Sequence, residues 1–232
     1  MKHKAVLFDL DGTLADTIRF WAEAYLQTLL EYGVPSMDYQ MFWKDIYTQN
    51  LKLHDVLDML SVPIEKEPEF RSTRDGHYTA LLREKVEWLP KAKDTLEEVV
   101  DALPCGIVTG SFKIYVDAID EKLNIRSLTP TFVTCDEFRK QGKPDPYCLY
   151  LGADKLNVDP KECMYIGDQV CDIEAANAAG MTSCLFKGPY TPDKIDGEAD
   201  VVITELTEVL PLLSLSTPRK ESTRTCSANL NL

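Results

Sequence analysis

The sequence predicts an α/β fold, with helices on both faces of a parallel sheet and an inserted α-helical cap. Short, continuous apolar runs of strand length alternate with helix-length segments, which is typical of a parallel sheet that is buried on both faces. Polar residues directly follow several of these runs. The stretch 16–88 interrupts the alternation with helical patterns alone, and this interruption predicts the cap.

The first apolar run, Ala5–Phe8, ends at two carboxylates, Asp9 and Asp11, which Gly12 follows. Residues i and i+2 of an extended chain point to the same side, so we expect both carboxylates together at the carboxyl end of a buried strand. Open α/β sheets bind their ligands at that edge. Two close carboxylates repel each other, so the pair indicates a cation between them or a proton on one. Taken alone, the two residues also suit an ordinary turn.

Helical periodicity dominates the predicted cap. Apolar residues recur at steps of three and four over 16–30, and Gly33 and Pro35 end that helix. Further helices are predicted around 39–47, 51–60 and 68–86, with no strand between residues 16 and 88. We therefore expect a helical bundle inserted after the first strand.

The alternating pattern resumes after residue 88. It predicts helices at 90–103, 112–123 and 172–179, a helix opened by Pro146, and strands at 105–108, 131–134, 163–166, 182–186 and 200–203. Gly180 is expected to cap the helix that precedes it. The predicted domains are therefore a core from 1–15 and 89–213, a cap from 16–88, and a disordered tail at 214–232.

Composition excludes several classes of partner. A net charge of -13 argues against nucleic acid and anionic membranes, and no apolar stretch is long enough to span a bilayer. The seven cysteines form no CxxC pair, which favours buried, reduced thiols and a cytoplasmic location. We expect no signal peptide, because the first strand begins within the first few residues. We expect a monomer or a weak homodimer.

The predicted strand ends supply groups that suit a phosphate and a hard cation. Asp9 and Asp11 follow the first strand, Thr109 and Ser111 the second, and Asp168 a later one, while Lys143 lies in a loop between strands. Mg²⁺ prefers oxygen ligands and shares its coordination shell with substrate phosphates. A carboxylate can attack phosphorus when a divalent cation and a lysine offset the negative charge on both partners.

Four motifs stand in order along the chain, each in a strand-to-helix context. They are Asp9-Leu-Asp11-Gly-Thr13, Thr109 after a strand, Lys143 in Gly-Lys-Pro-Asp-Pro, and Gly167-Asp168-Gln-Val-Cys-Asp172-Ile-Glu-Ala-Ala. With these motifs the chain resembles the haloacid dehalogenase-like superfamily, in its phosphatase branch with a helical cap, over residues 4–210. The resemblance, to the phosphoglycolate phosphatase and β-phosphoglucomutase-like subfamily, implies a Rossmann-like sheet and Mg²⁺ as the cofactor.

The resemblance implies the main catalytic roles. Asp9 would be the nucleophile that takes the phosphoryl group. Asp11 would protonate the leaving oxygen and then activate the water that hydrolyses the aspartyl-phosphate. Mg²⁺ would be held by Asp9, by the backbone carbonyl of Asp11 and by Asp168.

Other matching positions are implied to support these groups. Thr109 and the backbone of Gly110 would bind phosphate oxygens, and Lys143 would offset charge on the nucleophile and the phosphate. Asp172 would orient Lys143, or would reach the metal through water. Gln169 and Gly110 depart from the common pattern, in which a small hydroxyl residue and Asn are frequent at these two positions.

The predicted cap offers candidates for binding the rest of the substrate. Arg19 ranks first because it lies just after the catalytic loop. The other candidates are Lys44, Lys52, His54, Arg71, Arg74, His77, Trp21, Trp43 and Tyr47. For each of these residues, a solvated charge or a core aromatic is the alternative interpretation.

The predicted function is a Mg²⁺-dependent phosphatase for a small phosphorylated metabolite, such as phosphoglycolate, a sugar phosphate or a nucleotide monophosphate. A dehalogenase is disfavoured, because that branch lacks the second aspartate and Asp11 is present here. The alternative is a sugar-phosphate mutase of the β-phosphoglucomutase type, which shares the core. A non-catalytic binding protein on the same scaffold is a further alternative, although no core residue is lost.

Overall fold

Six parallel strands form a single sheet in the computed structural model, which describes residues 3–34, 37–47, 49, 51–139, 141–191 and 198–214. The strands are β1 (Ala5–Phe8), β2 (Cys105–Val108), β3 (Phe132–Val133), β4 (Cys163–Gly167), β5 (Thr182–Phe186) and β6 (Val201–Ile203). Their order across the sheet is β3-β2-β1-β4-β5-β6. This topology confirms the predicted α/β class with a parallel, Rossmann-like sheet.

Helices connect the strands. They are α1 (Ile18–Glu31), α2 (Tyr39–Phe42), α3 (Leu53–Met59), α4 (Glu67–Lys85), α5 (Ala92–Ala102), α6 (Lys113–Leu123), α7 (Cys135–Phe138), α8 (Tyr147–Leu156), α9 (Val170–Ala179) and α10 (Val209–Leu212). A π-helical turn, Trp43–Tyr47, directly follows α2. The predicted helix around 39–47 therefore consists of two parts with different hydrogen-bond spacing.

Strand β1 lies at the centre of the sheet, between β2 and β4. Its side chains alternate between two buried clusters: Val6 and Phe8 pack on one face, and Ala5 and Leu7 on the other. Helices α5 and α6 supply apolar residues to the first cluster, and α8 and α9 to the second. Because both faces are covered, the carboxyl edge of the sheet is left for polar groups.

Among the described residues of the predicted cap segment, 16–88, turns and loops connect helices, and no residue belongs to a strand of the sheet. Part of α1 and α4 forms a separate apolar cluster with α2 and α3, centred on Tyr25, Phe42 and Phe70. Other residues of α1 and α4 pack into the cluster on the sheet. The division into a core domain and a cap domain remains a prediction.

Small differences separate the predicted and observed elements. Helix α9 begins at Val170 rather than at Asp172, and the Asp172 carboxylate caps its first turn by accepting from the backbone N–H of Gln169. Pro146 occupies the N-cap of α8, one position before the helix proper. Pro35, Cys226 and the predicted tail beyond Ser214 lie outside the described residues. Among the helices of the described ranges, none is both long and apolar enough to cross a bilayer.

We predict that Gly152→Ala destabilises the sheet. Gly152 lies in α8, and a Cβ at this position would come within 2.7 Å of Val108 and 3.0 Å of Leu7, side chains of β2 and β1. Overpacking of this kind lowers the free energy of unfolding by about 1–3 kcal/mol, measured by urea denaturation.

Gly76→Ala is the matched control, because Gly76 lies in α4 and a Cβ there would have no neighbour within 4 Å. Because alanine has a higher helix propensity than glycine, the free energy of unfolding of this variant should rise by about 0.5–1 kcal/mol. Equal effects of the two substitutions would contradict the packing of α8 on the sheet.

Candidate active site

The predicted site residues meet at the carboxyl edge of the sheet. Asp9 follows β1, Thr109 follows β2 and Asp168 follows β4, and these three strands are neighbours. Lys143 reaches the same edge from the loop between α7 and α8. The structure therefore brings together residues that are up to 163 positions apart, measured from Asp9 to Asp172 (172 minus 9).

The buried ammonium of Lys143 has three hydrogen-bond partners. It donates to Asp9 Oδ1 at 2.7 Å, to Asp172 Oδ1 at 2.5 Å and to the hydroxyl of Tyr165 at 2.9 Å. Burial by itself would lower the pKa of Lys143, but the Asp172 and Asp9 carboxylates outweigh burial and raise the pKa well above its ordinary value. Lys143 is therefore a fixed positive charge beside Asp9.

The carboxylates around Lys143 carry more negative charge than one lysine balances. Burial raises the pKa of Asp9 well above its usual value; Lys143 opposes this effect, and the nearby carboxylates, Asp172 first, add to it. Burial, followed by the charge on Asp172, also raises the pKa of Asp168 to about 7. A bound cation would offset the free-energy cost of burying these carboxylates and would weaken the repulsion between them.

The donor set fits a divalent cation. Single carboxylate oxygens of Asp9, Asp168 and Asp172 lie within 4.8 Å of one another, and all three residues are buried. Hard cations such as Mg²⁺ bind carboxylate oxygens. The side chain of Asp11 is not part of this group, and its predicted role through the backbone carbonyl remains a prediction.

Hydroxyl groups hold the carboxylate of Asp11. Thr17 donates to Asp11 Oδ1 at 2.8 Å, while Thr109 and Ser111 each donate to Oδ2 at 2.8 Å. The backbone N–H of Ser111 also donates to the Thr109 hydroxyl at 3.0 Å. Asp11 is thus fixed apart from Lys143, so the two aspartates of the first motif have different environments.

The orientation of Asp168 depends on close packing with the first loop. Thr13 donates to Asp168 Oδ1 at 3.2 Å, and the amide of Gln169 donates to Oδ2 at 2.6 Å. Gly12 has a φ of +81°, and a Cβ on it would lie 2.8 Å from Asp168 Oδ2. Only glycine fits this position, both for its backbone conformation and for its distance to the carboxylate.

Asp172 links Lys143 to the start of α9. Its Oδ1 accepts from Lys143, and its Oδ2 accepts from the backbone N–H of Gln169 at 3.0 Å. This geometry suits the orienting role implied for Asp172, which remains a prediction. Gln169, a departure from the common pattern, uses its side chain to hold Asp168.

A cavity of about 800 Å³ connects these groups with the predicted cap. The cap candidates that line it are Trp21, Tyr47, Lys52, His54, Arg71 and Arg74. Arg19 is not among the described residues that line this cavity, because its guanidinium pairs with Asp16 at 2.9 Å and Glu87 at 3.4 Å. Lys44, His77 and Trp43 are also absent from the lining described there.

Two residues that hold the site were not predicted from the sequence. Tyr165 is fully buried in β4; its hydroxyl accepts from Lys143 and lies 3.0 Å from the Val108 carbonyl, to which it donates. Thr17 binds Asp11 from just before α1. A tyrosine inside an otherwise apolar strand needs a partner for its hydroxyl, and this was the available signal for Tyr165.

Comparison with known proteins identifies related hydrolases. The sequence model of the haloacid dehalogenase-like hydrolase family matches residues 6–186. An N-acetylmuramic acid 6-phosphate phosphatase of Pseudomonas aeruginosa is 27% identical over 92% of this chain and 96% of its own. A phosphoglycolate phosphatase of Escherichia coli is 27% identical over 91% and 93% of the two chains.

A solved structure shares the fold. A predicted phosphoglycolate phosphatase from Haemophilus somnus superposes with a TM-score of 0.80, at 21% identity, over 92% of this chain and 99% of its own. The chain belongs to the haloacid dehalogenase-like hydrolase family. The expected class of enzyme, a phosphoric monoester hydrolase, is confirmed at this level by the family and its phosphatase members.

We predict that Tyr165→Phe weakens the Lys143 network. The substitution removes one of the three partners of Lys143 and leaves the buried Val108 carbonyl without its hydroxyl donor. An unsatisfied buried polar group costs about 1–3 kcal/mol in the free energy of unfolding, measured by urea denaturation.

Tyr150→Phe is the control, since its hydroxyl makes an exposed bond of 3.3 Å to the Ala178 carbonyl. The free energy of unfolding of this variant should lie within about 0.5 kcal/mol of that of the parent protein. If Tyr165→Phe were equally neutral, the hydroxyl of Tyr165 would not be holding Lys143.

Proposed function

We propose that the protein is a Mg²⁺-dependent phosphatase that hydrolyses a small phosphorylated metabolite through a phosphoryl group carried on Asp9. The observation that carries this proposal is the direct bond of 2.7 Å between Lys143 and Asp9, within a buried cluster of carboxylates. A carboxylate that attacks a phosphate needs positive charge beside it, because both partners are anionic. Lys143 supplies part of that charge.

A bound Mg²⁺ would supply the rest of that charge. When bound, it would be held by Asp9, Asp168 and the backbone carbonyl of Asp11, and would polarise the phosphoryl oxygens. Support comes from the excess of negative charge among the buried carboxylates. Asp172 is less available than Asp168, because it is already bonded to Lys143 at 2.5 Å.

Asp9 and Asp11 divide the chemistry of the first half-reaction. An oxygen of Asp9 attacks phosphorus, and the bond from phosphorus to the leaving alcohol breaks. Asp11 gives a proton to the leaving oxygen, so the alcohol departs neutral. The Thr17, Thr109 and Ser111 hydroxyls, which hold Asp11, keep this acid apart from the nucleophile.

The second half-reaction returns the enzyme to its starting state. Asp11 takes a proton from water while the water oxygen attacks phosphorus. The bond between Asp9 and phosphorus then breaks, and inorganic phosphate leaves. Lys143 remains positive and stabilises the transition state of both halves. Thr109 and the backbone of Gly110 bind phosphate oxygens, for which the Thr109 hydroxyl turns its single proton from Asp11 to the phosphate. Gly110 lines the cavity next to Ser111, which supports this placement.

Phosphate release from a panel of small esters tests this function. Phosphoglycolate and a hexose phosphate correspond to the substrates in the names of two relatives, and a nucleoside monophosphate is the further class that the sequence predicts. We expect release with Mg²⁺ and loss of release with a chelator, restored by added Mg²⁺. Release that is unaffected by the chelator would contradict the role of the cation.

Asp9→Asn should reduce turnover to the background rate, because an amide does not attack phosphorus. The fold should survive, since an amide keeps the size of the carboxylate and far-ultraviolet circular dichroism should be unchanged. Asp94→Asn is the matched control: its side chain is 67% exposed and makes only a long surface ion pair to Lys91. Retained turnover in Asp9→Asn, with normal activity in the control, would overturn the assignment of the nucleophile.

A further inference from the structure

Gln169 joins two of the three buried carboxylates. Its side-chain amide donates from Nε2 to Asp168 Oδ2 at 2.6 Å, and its backbone N–H donates to Asp172 Oδ2 at 3.0 Å. Lys143 joins Asp172 to Asp9 in the same way, with one hydrogen bond to each. One lysine and one glutamine therefore fix the three carboxylates relative to one another.

The two oxygens of Asp168 have different surroundings. Oδ2 accepts the short bond from Gln169 and also faces Gly12, on which a Cβ would come within 2.8 Å of this oxygen. Oδ1 accepts a longer bond, of 3.2 Å, from the hydroxyl of Thr13. Each carboxylate oxygen has about two lone-pair sites, so Oδ1 can bind a cation beside this hydroxyl. Oδ1 is therefore the more available ligand atom of Asp168.

The number of oxygens that a carboxylate offers affects which cation it prefers. Mg²⁺ is small and requires a nearly regular octahedron, which the narrow angle between two oxygens of one carboxylate does not fit. Ca²⁺ is larger, takes more oxygen ligands and accepts both oxygens of one carboxylate. A hydrogen-bond donor held on Oδ2 of Asp168 therefore favours Mg²⁺, because it leaves one oxygen for the cation.

The bond from the Gln169 side chain to Asp168 is separate from the capping of α9. The Asp172 carboxylate caps this helix by accepting from the backbone N–H of Gln169, and that N–H remains when the side chain is replaced. Gln169 is also half-buried and lines both cavities described at the site, so a side chain of similar size can replace it there. Its effect on Asp168 can therefore be tested without removing the cap of α9.

Resting on the role of the cation in the proposed function, we propose that Gln169 is a positioning residue that makes the site prefer Mg²⁺ over Ca²⁺. Its amide holds Oδ2 of Asp168 and leaves Oδ1 as the single ligand oxygen of this residue. Coordination through both oxygens, from which Ca²⁺ gains, would require breaking the bond of 2.6 Å to Gln169. Gln169 thus acts through Asp168 and is not itself a ligand.

Isothermal titration calorimetry of the metal-free protein with Mg²⁺ and with Ca²⁺ tests the inference without any ester. Gln169→Met keeps the length of the side chain and removes the donor. The Kd for Mg²⁺ should rise by about 10–100-fold, as is typical when a metal ligand loses its outer partner. The Kd for Ca²⁺ should change less, because Asp168 can then offer both oxygens. The ratio of the Kd for Ca²⁺ to the Kd for Mg²⁺ should therefore fall by about tenfold or more.

A second variant and a control accompany Gln169→Met. Gln169→Leu also removes the donor and should lower the same ratio if Gln169→Met does not fold. Gln27→Met is the matched control, because Gln27 is exposed in α1 and lines neither described cavity. The ratio of the two dissociation constants should be unchanged in this control.

The failures of the inference and of the proposed function can be distinguished. Equal weakening of both cations would show that Gln169 only supports the structure, and it overturns the inference. An unchanged ratio in the folded Gln169 variants overturns it as well, while Mg²⁺-dependent phosphate release by the parent protein would still support the proposed function. No binding of Mg²⁺ to the parent protein overturns the role of the cation and the inference together.

Discussion

A buried lysine surrounded by carboxylates is the constraint on which the site depends. Lys143 contacts Asp9 and Asp172 directly, and Asp168 lies within the same cluster. The carboxylate of Asp11 is bound separately, by three hydroxyl groups. Burial raises the cost of each unbalanced charge, so the cluster is stable only with its hydrogen bonds complete and further positive charge at hand. That requirement supports the proposed binding of a cation among these carboxylates.

The parallel sheet meets this constraint through its topology. Strand β1 carries Asp9 at the centre, with β2 and β4 on either side, so three strand ends deliver their polar residues to one place. Apolar clusters on both faces fix the strands. Tyr165 belongs to one of these clusters, yet its hydroxyl bonds to Lys143, so packing of the core and orientation of the site are coupled.

The sequence was sufficient for the features that depend on local pattern. Continuous apolar runs predicted β2 and β5 at their observed bounds, and the motif order predicted which residues would meet at the sheet edge. Side-chain directions were not predictable, since they depend on distant partners. Arg19 turns to Glu87, a residue 68 positions away, and Tyr165 in β4 donates to the Val108 carbonyl of β2, on the far side of β1. The stacked rings of Tyr39, Trp43 and Tyr47 extend from α2 into a π-helical turn, which apolar periodicity does not reveal.

The most direct test of the central claim is to find the phosphoryl group on the protein. The enzyme would be mixed with its best ester and Mg²⁺, quenched in acid within one turnover, digested, and mapped by mass spectrometry. Asp9 as the nucleophile requires a phosphoryl group on the peptide that contains β1, and loss of that signal in Asp9→Asn. A phosphoryl group on another residue, or release of phosphate with no labelled protein at any quench time, would contradict it.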